Sequence, residues 1–217
     1  MLQLVRNSAL LFSCLLCGCS LLQPAPEKPP PVEIVPAELP KPQIKPPPPK
    51  IALALGGGAV RGFAHVGVIK VLEAQGIVPE IVVGTSAGSL AGALYAGGYR
   101  NNELQKIAMK INGDIFSDWI IPNRGFIKGE SLQNFVNVAL NNRPIEKLGK
   151  TFAVVATDLR SGQAVVFRTG NTGIAVRASS SIPGVFQPVN INGSEYVDGA
   201  LVSPIPVKVA KNLGADI

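Results

Sequence analysis

Thiols are missing from almost all of this 217-residue sequence: its three cysteines, Cys14, Cys17 and Cys19, lie within the first nineteen residues. Everything downstream therefore lacks a disulfide framework and a cysteine-based metal site. Histidine is scarcer still, with His65 alone. A His-rich metal centre is excluded, as is any scheme that needs two imidazoles. Charge is thin as well, at 16 % of residues against 47 % apolar. The net charge of +6 comes from single, scattered Lys and Arg, with no run and no interleaved aromatics. Nucleic-acid recognition needs a basic stripe, so nucleic acid is not an expected partner. The length suits one globular domain with a substantial core. No internal repeat is visible.

What is present falls into three regions. Residues 1–19 read as an export signal: Arg6 supplies a short positive region and Ala9 to Leu16 an apolar run too short for a comfortable membrane span. The run meets Leu16-Cys17-Gly18-Cys19, which resembles the lipobox of bacterial lipoproteins, with Cys17 standing where Ala or Ser is usual. That resemblance implies lipidation at Cys19 and attachment to a membrane through the lipid. Ser20 after Cys19 fits sorting to the outer membrane, so the expected location is the bacterial envelope, facing the periplasm. Residues 20–50 form a linker, and from Pro24 to Lys50 it is dense in proline. Proline removes amide donors and favours an extended spacer. At ~3.1 Å per residue its reach is on the order of 80 Å.

The globular region, 51–217, alternates strand-like and helical patterns. Strands are expected over Ile51–Leu55, Ile81–Val83, Phe152–Thr157 and Ala164–Arg168. The clearest helices are Gly62–Gln75, Ser89–Tyr99, Glu103–Ile111 and Glu130–Leu140. In the third, Leu104, Ile107, Ala108 and Ile111 fall on one helical face. Alternation of this kind predicts an α/β fold with parallel strands.

Two glycine-rich turns carry the chemistry. "IALALGGGAVRGFAH" leads an apolar run into Gly56-Gly57-Gly58 and then a helix. A dinucleotide site needs G-x-G-x-x-G, and no register of this run supplies it. Glu80 precedes its strand instead of ending one, and the P-loop lysine is absent. The second turn, Gly84-Thr85-Ser86-Ala87-Gly88, is a G-x-S-x-G between an apolar strand and a small-residue helix. That context marks a nucleophile elbow, where a serine sits on a strained strand-to-helix turn. A serine nucleophile needs an oxyanion hole and a base. Unobstructed amides of Gly56, Gly57 and Gly58 suit the hole. The base stays open on the residues alone. His65, inside the first helix, reads as structural. Asp158 and Asp198 are the acids to weigh, and Asp198-Gly199 by itself reads as a hairpin turn.

Four blocks in order, "LALGGGAVRGFAHVGVIKVLE", "VVGTSAGSLAGALYA", "AVRASSSIPGVF" and "YVDGALVSPIPV", resemble the patatin-like phospholipase family. The likeness is to its bacterial branch, which is also similar to the catalytic domain of neuropathy target esterase. It runs from about Ile51 to the end of the sequence. It implies a three-layer α/β/α fold around a mostly parallel sheet, and hydrolysis of acyl esters of membrane phospholipids or related lipids without a cofactor. The family uses a Ser–Asp dyad with no histidine. Ser86 then corresponds to the nucleophile and Asp198 to its proton acceptor. The triplet Gly56–Gly58 matches the oxyanion motif, and Arg61 matches the basic residue that follows it; Arg61 suits a contact to the substrate's anion or equally a salt bridge at the start of the helix. Members usually continue past "NLGADI" into another strand, so the expectation is a domain cut short there, with a bare sheet edge near the Asp198 loop. The rival readings are a carboxylesterase or thioesterase for small acyl groups, and a non-catalytic, lipid-tethered binding module of the envelope.

Overall fold

Apolar runs flanked by glycine and proline form the strands, and the 3.6-residue patterns form the helices. The computed structural model describes Lys28 and residues 47–217 other than 112, 122 and 123. The signal-like segment, Cys19 and nearly all of the linker lie outside the described residues. In chain order come β1 (Ala52–Leu55), α1 (Phe63–Ala74), β2 (Ile81–Thr85), α2 (Ala87–Ala96), α3 (Asn101–Lys110) and α4 (Glu130–Ala139). Then follow β3 (Thr151–Asp158), β4 (Ala164–Phe167), α5 (Thr172–Ser179), β5 (Val189–Ile191), β6 (Ser194–Asp198) and α6 (Val207–Asn212). All four expected strands and all four expected helices are there, shifted by a few residues. The short elements α5, β5, β6 and α6 are additional.

The six strands form one mixed sheet. β1–β2 and β2–β3 pair in parallel, whereas β3–β4, β3–β6 and β5–β6 are antiparallel. The sheet is thus less parallel than expected, for a geometric reason. Parallel neighbours need a crossover, here α1 between β1 and β2, but β3–β4 and β5–β6 are hairpins whose short turns force antiparallel pairing. The β5–β6 turn is Asn192-Gly193, with φ of 51° and 86°. Two positive φ values are what a two-residue hairpin of type I′ demands, and Asn-Gly supplies them. The hairpin anticipated at Asp198-Gly199 is therefore one strand earlier. Asp198 instead ends β6 and caps a 3-10 turn, Gly199–Leu201.

One detail of register positions the site. β3 pairs with β4 along one edge. On its other edge β2 reaches Val155 through Thr85, and β6 takes over at Ala156 through Asp198. β2 and β6 run toward each other along that edge, so their C-terminal ends meet.

The sheet is buried on both faces, and β2 is buried at every residue. Period-two alternation splits its side chains. Leu55, Val82, Phe152 and Val154 pack with α1, α2, α3, α4 and α5, while Ile81, Val83, Ala153 and Val155 pack against α6 and Ala215. These are the three layers expected. Leu104 and Ala108 of α3 are buried, and Ile107 and Ile111 pack on the same cluster, so the expected apolar face points inward. The last residues run beside the outer edge of β1: Ala52 N–H donates to the Ile217 carbonyl at 2.8 Å, and Asp216 N–H to that of Lys50 at 2.9 Å. The edge they meet is β1, not the Asp198 loop. No helix among the described residues is long and apolar enough to cross a membrane.

Candidate active site

The elbow is built by close approach. A Cβ on Gly84 would stand 2.4 Å from Ser89 Cα, and one on Gly88 would stand 2.1 Å from the Leu55 carbonyl oxygen. Glycine at both positions lets α2 press against the ends of β2 and β1. Between them Ser86 takes φ 51° and ψ −123°, a conformation that costs a non-glycine residue on the order of 1–3 kcal/mol. The surroundings hold it there. Ser86 N–H donates to Ser179 Oγ at 2.8 Å, and Ser89 Oγ donates to the Ser86 carbonyl at 2.6 Å.

Where β2 and β6 meet, Ser86 Oγ donates to Asp198 Oδ2 at 2.7 Å. Both residues are buried, at 6 % and 4 % exposure. Asp198 Oδ1 accepts from Ala200 N–H at 2.8 Å, the Asp198 carbonyl accepts from Thr157 Oγ1, and its N–H donates to the Ser181 carbonyl. Burial pushes the Asp198 carboxyl above its ordinary pKa, against the pull of the Ala200 and Ser86 hydrogen bonds. Removal from water disfavours the carboxylate, which makes it a stronger base. Asp158 is elsewhere: its carboxylate binds Ser161 in the turn before β4, and those bonds lower its pKa.

The glycine triplet divides. Gly57 N–H donates to the Pro204 carbonyl at 3.0 Å, and the Gly56 carbonyl faces His65 Nε2 at 2.8 Å. A Cβ on Gly56 would meet the Pro204 oxygen at 2.9 Å, and one on Gly57 would stand 3.3 Å from Ser86 Cβ. Gly57 is thus the close neighbour of the serine, but its amide is already engaged. This corrects the expectation that all three amides are available. Gly58 N–H and Ala87 N–H, beside the serine, have no backbone acceptor among the described residues. His65 thus contacts the glycine loop from within α1. Arg61 is exposed at the 3-10 turn that follows the glycines and forms no ion pair among the described residues.

Ser86 opens on a cavity of about 560 Å³, within the range of small-molecule sites. One stripe of α2 (Ala87, Leu90, Ala91, Leu94) lines it from the serine inward, and Leu104 and Leu132 are among its buried walls. Among the described residues its only polar side chains are Ser86 and Ser180. Sequence reasoning missed the braces Ser179, Ser181 and Thr157, and also Ala87 and Ala200. The serine cluster in "RASSSIPG" was the available signal for the first two, and the elbow motif for Ala87, which follows the serine; Ala200 is a local cap two residues past Asp198, and Thr157 depends on register between distant strands.

Fold and site together define a class: a mixed α/β protein with a strained serine on a nucleophile elbow, paired with a buried aspartate at an apolar cavity. The family model for patatin-like phospholipases matches residues 53–211, and this chain belongs to that family. It is 33 % identical over 172 residues to an uncharacterized NTE family protein of Mycobacterium tuberculosis, an alignment covering 78 % of this chain and 48 % of that one. To Lysophospholipase NTE1 of Yarrowia lipolytica it is 32 % identical over 173 residues, covering 77 % of this chain and 12 % of that protein. The chain thus spans about half the length of the mycobacterial relative, and far less of the fungal one. Among solved structures, VipD from Legionella pneumophila aligns with a TM-score of 0.43 at 17 % identity, covering 70 % of this chain and 46 % of that one.

Proposed function

We propose that this chain is a serine acyl hydrolase acting on ester bonds of phospholipids or lysophospholipids through a Ser86–Asp198 dyad. One observation carries the reading: the 2.7 Å hydrogen bond from Ser86 Oγ to a buried carboxylate, at the mouth of an apolar cavity. Asp198 takes the Ser86 proton as Oγ attacks the ester carbonyl. The tetrahedral oxyanion is met by Gly58 N–H and Ala87 N–H and by the positive end of the α2 dipole. Collapse expels the alcohol, which takes the proton from Asp198, and leaves acyl-Ser86. Water then gives a proton to Asp198 and attacks the acyl carbon, releasing the fatty acid and restoring Ser86. Ala200 N–H holds Asp198 in line throughout. The acyl chain lies along the α2 stripe, where each buried methylene contributes about 0.8 kcal/mol. Arg61 meets the phosphate outside. Lipidation at Cys19, with residues 20–50 as spacer, would tether the domain to the bacterial envelope, on the periplasmic face of the outer membrane.

Covalent labelling by a fluorophosphonate probe tests the dyad. The full chain should label, Ser86→Ala should not, and Asp198→Asn should label at least about a hundredfold more slowly. A folded wild-type chain that stays unlabelled refutes the hydrolase. Turnover of long-chain lipid esters should exceed that of short soluble esters. The reverse preference would favour a small-ester enzyme.

A further inference from the structure

The cavity mouth continues into an exposed apolar surface. Val60, Phe63, Phe116 and Ile182 line the cavity yet are 77 %, 48 %, 37 % and 41 % exposed, so they are its rim. Beside them Trp119 and Ile121 are 67 % and 92 % exposed. Large contiguous apolar patches are uncommon on soluble proteins and mark interaction sites.

The Trp119 segment is held by hydrogen bonds. Trp119 bridges to Ile127, a buried cavity residue, and Ile127 to Phe186. Ile120 N–H donates to the Phe126 carbonyl at 2.9 Å. Asp118, next in the chain, accepts from the first amides of α4 through Oδ2. Trp119 is thereby kept at the surface beside the rim. Arg61 and Lys110, each next in the chain to a cavity-lining residue (Val60 and Ile111), are exposed and form no ion pair among the described residues.

We propose that this rim (Val60, Phe63, Phe116, Trp119, Ile121 and Ile182) is a lipid-surface docking face that sets the cavity mouth against a bilayer. The proposal extends the acyl-hydrolase reading of the cavity. A lipid occupant fits because Val60, Phe63, Phe116 and Ile182 belong both to the exposed surface and to a cavity whose walls suit an acyl chain. A chain passing from bilayer to Ser86 would stay in apolar surroundings. Aromatic side chains, tryptophan above all, favour the membrane interface, and the two cations suit anionic headgroups. A tether of the length expected for residues 20–50 provides proximity only. The patch provides orientation.

The chain has a single tryptophan, so its intrinsic fluorescence reports on this face alone. The experiment uses the full chain as Ser86→Ala, which keeps vesicles intact, with vesicles of brominated phosphatidylcholine containing phosphatidylglycerol. Docking predicts a blue shift of Trp119 emission, quenching by the brominated chains, and protection from aqueous iodide. Adding Ile121→Asp, outside the cavity, should lower the quenched fraction about tenfold or more. In the Ser86-containing chain the same change should leave soluble-ester turnover intact. If the protein sediments with vesicles while Trp119 stays open to iodide, the proposal is overturned. A blue shift that follows protein concentration without lipid would identify a second copy of this chain as the occupant, and overturn it too. Quenching depends on no turnover. Docking without fluorophosphonate labelling of wild type would therefore sink the hydrolase and leave the surface standing.

Discussion

Two strand–turn–helix units lie side by side in this protein and differ in almost everything but topology. In each, a parallel strand enters a glycine-rich turn containing a non-glycine residue at positive φ, Ala59 at 47° in one and Ser86 at 51° in the other, before a helix begins. In the β2–α2 unit, eight of the ten helical residues are buried, and most are small. In the β1–α1 unit, Ile69 is the buried residue of a twelve-residue helix, and Phe63, Val68 and Val71 face solvent. Small side chains let α2 enter the centre of the molecule, where closely packed backbone holds a strained serine. α1, kept outside, frames the cavity mouth. The same local plan thus serves as an anvil in one copy and a rim in the other.

Substitutions at matched positions should pull the two units apart. The largest effect is expected at Gly88→Ala, whose methyl would fall 2.1 Å from the Leu55 carbonyl oxygen, with backbone on both sides. Denaturant unfolding should show a loss of about 3 kcal/mol or more. Next comes Ala91→Leu, on the cavity stripe of α2. Several added methylenes shorten the acyl space, so kcat/KM for long-chain esters should fall on the order of tenfold to a hundredfold with short esters spared. Equal losses for both lengths would remove the acyl assignment from this cavity.

The third prediction concerns pH. Burial raises the Asp198 pKa, and a group with a raised folded-state pKa contributes stability below its unfolded value that is lost as pH rises through the folded one. Ionising Asp198 in the folded protein therefore costs stability. Asp198→Asn should match or exceed wild type in Tm at neutral pH, and that advantage should vanish toward about pH 4, near the ordinary Asp value. The acid limb of wild-type kcat/KM should lie above that same value. The smallest effect is expected at Gly67→Ala in the outer helix, where a methyl meets nothing within 4 Å; it should stabilise by about 0.5–1 kcal/mol. A destabilising Gly67→Ala would mean that this side of α1 is packed and not open.

The parts of this arrangement that the sequence made legible are the local ones. Apolar runs and helical periodicity located β1 to β4 and α1 to α4, and G-x-S-x-G located the elbow, because each depends on neighbours in the chain. The short elements α5, β5, β6 and α6 carry too few residues for periodicity to stand out. On its residues alone Asp198 reads as a turn because Asp-Gly has turn chemistry, whereas the hairpin uses Asn192-Gly193. Its partnership with Ser86 spans 112 positions and came into view through resemblance alone. The division of labour within Gly56–Gly58 depends on Pro204, which no pattern around the glycines announces.

Because β2 and β6 abut on a shared edge of β3, at Val155 and Ala156, the separation of serine and aspartate is read off a ruler graduated in whole residues. One graduation is about 3.3 Å, and slipping by one also turns the side chain to the opposite face. An insertion or deletion within β6 or this part of β3 would break the pairing outright, with no intermediate spacing to settle into. Side-chain identities along these strands can drift so long as the count is kept. The alignment of this pair is therefore a digital property of the backbone, inherited whole or lost.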